Sequence, residues 1–129
     1  MEASLDRPAP GRGLNIAAWV ASALLCALFL FAGLPKVMGS QQVVEGFRNF
    51  GFSDGFRIFI GVAETLGGIG LVIPRLSFWA ACGLVLIMIG AIHTQVTHPE
   101  TGAPILPSVT LLVLLFVAWV RRKQALFLS

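Results

Sequence analysis

Charge is what this sequence most lacks. Only 12% of its residues are Asp, Glu, Lys or Arg, against roughly 25% in an ordinary soluble domain. A soluble fold of this length would need a polar surface that the chain cannot supply. Cysteine is scarce too: Cys26 and Cys82 are far apart, and each lies inside an apolar run. Without a C-x-x-C pair, neither a zinc site nor a dithiol redox motif is encoded, and both thiols read as small packing residues. Tyrosine is missing altogether, from which no function follows. Basic blocks are nearly missing as well. The net charge of +3 comes from residues at the ends of apolar runs, where membrane topology explains them, so no nucleic-acid partner is indicated.

What is present is apolar: 57% of residues are hydrophobic and the mean hydropathy is +0.87. The chain reads as an all-α integral membrane protein of one domain. Residues 1–13 read as a flexible cytoplasmic tail. Four spans follow, over about 14–37, 56–73, 77–97 and 105–120, each near the ~20 residues that a bilayer-crossing helix needs. The first run is too long for the apolar region of a signal peptide and is expected to be retained. Short connections imply antiparallel neighbours, hence a membrane-embedded four-helix bundle. Arg7, Arg12, Arg75, Arg121, Arg122 and Lys123 fall on one side, and Lys36, Arg48 and Arg57 on the other. The positive-inside rule then places both termini in the cytoplasm. Trp19, Trp79 and Trp119 lie near the same cytoplasmic ends, as an aromatic belt would place them.

Between the first two spans, residues 41–50 place Val43, Val44, Phe47 and Phe50 on one helical face, with Gln41, Gln42, Glu45, Arg48 and Asn49 opposite. This is an amphipathic helix, lying in the outer interface or covering the mouth of the bundle; a solvated connector is the plain alternative. The loop after the third span is dense in turn signals, and His98 and Glu100 read there as solvated.

Residues three and four apart share a helical face. Ser22, Cys26, Phe29, Gly33 and Lys36 form one stripe; Arg57, Gly61, Glu64 and Gly68 a second; Gly83, Leu86, Gly90, His93 and Thr97 a third. Small residues let membrane helices approach, and polar ones prefer the bundle interior, so the three stripes are expected to face one another. The fourth span is apolar all round and is expected to be peripheral. At ~1.5 Å per residue, Lys36 lies near the outer surface, His93 roughly 6 Å inside it and Glu64 roughly 12 Å inside it. That describes a pocket open outward, closed below Glu64 by Gly67, Gly68 and Gly70.

Glu64, His93 and Lys36 are the candidate catalytic residues, since a Lys, a Glu and a His on facing helices form an acid–base set. Arg57, Gly61, Gly68, Gly90 and Thr97 are the candidate ligand-binding residues. Each has a plainer role: Glu64 a hydrogen-bonded structural carboxyl, His93 a helix-end hydrogen bonder, Lys36 a snorkelling side chain, Arg57 an interfacial anchor, the glycines packing residues. Two or three scattered donors make a poor metal site, and none is expected.

The segments FAGLPKVMG, GVAETLGGIGLVIPR and IMIGAIHTQV resemble, in order and spacing, those of the DoxX-like family of small four-helix membrane proteins. The resemblance covers about Leu14 to Arg121. It matches Lys36 to the family's basic position, Glu64 to its acidic one and, more loosely, His93. The implied location is the cytoplasmic membrane of a bacterium. Family members include a subunit of a thiosulfate:quinone oxidoreductase, a partner of oxidative-stress enzymes and animal proteins that assist receptor assembly. The first expectation is therefore a membrane subunit of a redox system, with no intrinsic cofactor, that binds a quinone or another lipid-soluble small molecule beside a redox partner protein. Lys36 or His93 would donate to the developing oxyanion and Glu64 would pass the proton. The alternative is a non-enzymatic accessory or assembly protein. A small proton-coupled exporter and an intramembrane lipid isomerase rank lower. Glycine-lined faces would serve a homo-oligomer as well as the bundle interior.

Overall fold

The computed structural model describes residues 11–124, and among these it is helical with no strand. In chain order the helices are α1 (Arg12–Met38), α2 (Gln41–Asn49), α3 (Asp54–Leu71), α4 (Pro74–Thr97) and α5 (Ile105–Arg121). Short 3-10 turns follow α4 at Pro99–Thr101 and α5 at Arg122–Gln124. Most of the expected tail, residues 1–10, lies outside the described residues. Two helices, α1 and α4, are long and apolar enough to cross a membrane; α5 is a shorter apolar helix. Large apolar side chains cover the outside, with Phe31 83% and Leu86 71% exposed. A surface of that kind suits lipid and not water.

Local chemistry sets the helix ends. Gly39 ends α1 in the left-handed conformation, with φ 76°, which glycine reaches without steric cost. The Ser53 hydroxyl caps α3 by accepting from the Phe56 N–H at 3.1 Å, and Asp54 in the first turn suits the helix dipole. The fourth helix begins at Pro74 and not at Ser77. Proline is a helix opener, because the amide hydrogen it lacks would have no partner there.

The first and third helices pack backbone to backbone. A Cβ on Gly61 would lie 2.8 Å from the Lys36 Cβ and 2.9 Å from the Gly33 carbonyl oxygen. Gly33 is equally confined by the Gly61 carbonyl, at 2.8 Å. The buried residues of α3 are Arg57, Gly61, Glu64, Gly68, Gly70 and Leu71, which include the expected stripe. Those of α1 are Ala18, Ser22, Leu25, Phe29 and Gly33.

The other seam, between α4 and α5, differs from expectation. The buried face of α4 is Ser77, Ala81, Leu84 and Met88, whereas Gly83, Leu86, Gly90, His93 and Thr97 are all exposed. From Phe78 to Ile92 every residue of α4 is apolar or small, so no polar pattern marks which face of its middle turns inward, and its glycines lie outward. Nor is α5 peripheral. It buries Thr110, Leu114, Val117, Ala118 and Val120, and Leu114, Val117 and Ala118 join Leu25, Phe29, Leu71, Ala81, Leu84 and Met88 in the core. Its uniform apolarity hides a packed face beside a bare one, on which Leu112, Leu115 and Trp119 are exposed. At the end of the bundle that holds the start of α1, Arg121 donates to the Asn15 Oδ1 at 2.8 Å and lies over the Trp19 ring.

Candidate functional site: an aromatic cavity beside a buried ion pair

Glu64 sits near the middle of α3 and is 3% exposed. Its Oε1 accepts from the Lys36 Nζ at 2.6 Å. An unpaired charge at the centre of a bilayer-spanning helix costs about 2.5–3.5 kcal/mol on the lenient insertion scale, and pairing with the lysine offsets a cost of that kind. The Gly33–Gly61 approach is what makes the reach short: with the two backbones in contact, a lysine on α1 meets a carboxylate one turn along α3. Lys36 also donates to the Ala32 carbonyl at 3.3 Å. Its side chain remains 17% exposed, and that exposed part borders a cavity.

The cavity has a volume of about 560 Å³, within the size range of small-molecule sites, ~300–1,000 Å³. Lys36 and Glu64 line it at one wall. Phe47 of α2, Phe50 and Phe52 of the turn that follows it, and Phe56 and Ile60 of α3 form an aromatic flank. From α4 come Leu86, Ile87, Gly90, Ala91, His93, Thr94 and Gln95. The rings touch one another: Phe52 and Phe56 have centroids 4.8 Å apart, Phe47 and Phe52 5.9 Å. This contact continues across the Ser53 cap, so α2 and the start of α3 form one apolar surface. The lining is thus mostly apolar, with a single ion pair and a few neutral donors and acceptors.

The structure brings Lys36, Glu64, His93 and Gly90 to this cavity. His93 is among the lining residues and is itself exposed. Gly90 faces open space, with no atom within 4 Å of where a Cβ would stand. Gly61 and Gly68 are spent on packing against α1, where a Cβ on Gly68 would lie 3.0 Å from the Phe29 Cβ. Thr97 is turned away and hydrogen-bonds to the His93 and Thr94 carbonyls. Arg57 is neither an interfacial anchor nor a partner of Glu64. It is 6% exposed, donates to the Lys36 carbonyl, and has its Nε 4.0 Å from the Asp54 carboxylate.

His98 is not simply solvated. It is half-buried, with its ring edge-on to Phe50 at 4.8 Å and its Nδ1 3.0 Å from the Thr94 carbonyl. Phe52 and Phe56 also lie outside the expected site. The signal for them is the density of phenylalanine over residues 47–56, which a reading by helical faces divides between a loop and a span.

A model of the DoxX-like family matches residues 20–118, a range that includes every residue lining the cavity. No curated protein and no solved structure was found to match the chain.

Proposed function

The chain belongs to the DoxX-like family, and on that footing we propose a multi-pass membrane subunit of a redox system whose cavity takes the headgroup of a quinone or a similar lipid-soluble ring. The observation that carries this reading is the pairing of an aromatic, apolar cavity with one buried Lys36–Glu64 ion pair. Such a lining suits a ligand that is flat, mostly apolar and polar at one end. Phenylalanine rings offer faces and edges to a planar ring. The Lys36 ammonium has a proton left to donate to a carbonyl oxygen, and the Glu64 carboxylate beside it can give or take a proton as charge develops there. The exposed His93 is a second proton carrier toward the water.

Converting a quinone to a quinol needs two electrons and two protons. Binding and proton transfer would be this chain's share, and the electrons would come from a partner protein. The positive-inside distribution supports a cytoplasmic Arg12, Arg75 and Arg121–Lys123 end, with the cavity opening on the outer side.

Native mass spectrometry of the mildly solubilised protein tests this, wild type beside Glu64→Gln. A quinone bound to wild type and lost from the variant is the expected result. A protein partner held by both forms, with no small ligand, would make Glu64 structural and turn the reading to an accessory or assembly role.

A further inference from the structure

Arg57 is a buried cation to which the cavity reading gives no task. It lies in the first turns of α3, where the positive end of the helix dipole disfavours a cation. What compensates is the neighbouring helix end. As α1 stops at Gly39, the amides of Gly39 and Ser40 both donate to the Pro35 carbonyl, at 2.9 and 3.1 Å. The next carbonyl, that of Lys36, accepts from the Arg57 guanidinium. This carbonyl is one of the last four of α1, which have no partner within the helix and carry the negative end of its dipole.

The contact is made to the main chain of the very residue whose side chain pairs with Glu64. Behind it, Arg57 Nε faces Asp54 at 4.0 Å, and Asp54 accepts from Arg48 of α2 at 3.2 Å. Gly39 lies against the guanidinium, its Cβ position 3.6 Å from the Arg57 Nη1.

We infer that Arg57 is a positioning residue: it clamps the main chain of Lys36 so that the ammonium stays on Glu64 at the cavity wall, and Asp54 and Arg48 extend that clamp to the helix carrying Phe47. The inference rests on the cavity reading only in taking Lys36 as the group that meets the ligand. The clamp itself can be measured with no ligand present.

Lys36 and Lys123 are the only lysines in the chain, so amine acylation reports on one residue against one internal standard. The protein in detergent is treated with a water-soluble acetylating ester, and the two sites are followed by peptide mass spectrometry. In wild type Lys36 reacts more slowly than Lys123, and Glu64→Gln, which removes its partner, sets the upper limit. Arg57→Met keeps the bulk and loses the donors; its Lys36 is expected to react about tenfold faster than wild type, the scale of losing one hydrogen bond to a charged group. Arg57→Lys keeps a charged donor and is expected to stay within about twofold of wild type.

A role in packing alone would be met by methionine, so wild-type labelling in Arg57→Met overturns the inference. So does a parallel rise in alkylation of Cys26, elsewhere on α1, which would mean general loosening. If Arg57→Met does not fold, Asp54→Asn at an exposed position takes its place. There about threefold faster labelling is expected by the same reasoning on weaker, exposed pairs, and an unchanged rate overturns the inference. A wild type that holds no quinone but shows this labelling pattern would remove the ligand and leave the clamp.

Discussion

The two seams of the bundle are built from opposite materials. Between α1 and α3 the contact is glycine against glycine, with an ion pair and a guanidinium at one end. Between α4 and α5 it is Leu84 and Met88 with Leu114 and Val117, and the one ionisable residue that α5 buries, Arg121, lies at its end. In lipid the second kind gains little from the hydrophobic effect, because the tails outside are as apolar as leucine; it is held by close packing. The first kind has a stronger constraint. Its charges would be costly anywhere else, so the seam has one satisfactory register. The site sits at that polar seam and takes nothing from α5. One half of the bundle is thus specified by chemistry and the other by shape.

Lys36→Met breaks the contrast most directly. It leaves Glu64 buried without its partner and is expected to destabilise by about 3 kcal/mol, toward the lower end for broken buried pairs because Lys36 is partly exposed. Adding Glu64→Met should recover the stability to within about 1 kcal/mol of wild type while removing ligand binding. Thermal melting in detergent of the single and double variants reads both, and a double variant no better than Lys36→Met would show that the pair is not the constraint.

Gly61→Val tests the glycine half of the same seam. The branched side chain would meet the Lys36 Cβ and the Gly33 carbonyl, and about 2–3 kcal/mol is the expected loss. Leu114→Ala tests the opposite seam. In a soluble core about 2–5 kcal/mol would be lost; with the transfer contribution weakened by lipid, about 2 kcal/mol is expected, and ligand binding should survive. Gly83→Ala is the smallest. No atom lies within 4 Å of its Cβ position, so the helix is expected to gain about 0.5–1 kcal/mol. A loss there would mean that this glycine face is covered by another molecule.

The polar seam is readable in the sequence because polarity itself marks a face. Arg57, Gly61, Glu64 and Gly68 fall three and four apart in an otherwise apolar run, and all four are buried. Lys36 ends the α1 stripe, but counting residues sets it near the outer surface with Glu64 roughly 12 Å inside, whereas the structure pairs the two at 2.6 Å. The apolar seam is not readable. In α4, leucine, isoleucine and valine occur on every side, and glycine points to an inner face that Ser77, Ala81, Leu84 and Met88 hold instead. The aromatic flank is half visible. Phe47 and Phe50 follow from the helical face of residues 41–50, but Phe52 and Phe56 join them through the turn after α2, where the Phe52 N–H donates to the Phe47 carbonyl at 2.9 Å. Arg57's partner is a main-chain carbonyl on another helix, and no side-chain pattern encodes that.

The tie between Arg121 and Asn15 bears on how freely this chain can be rearranged. It brings the beginning of the first helix beside the end of the last, so the four long helices close into a ring that a short peptide could complete. Opening the chain instead at Gly102, in an exposed turn with φ 101°, would yield a circular permutant that begins with α5 and ends with α4. Every contact of the cavity lies between Lys36 and Gln95, on the uncut side of that opening. A permuted form should therefore retain the site, with its helices synthesised in a different order.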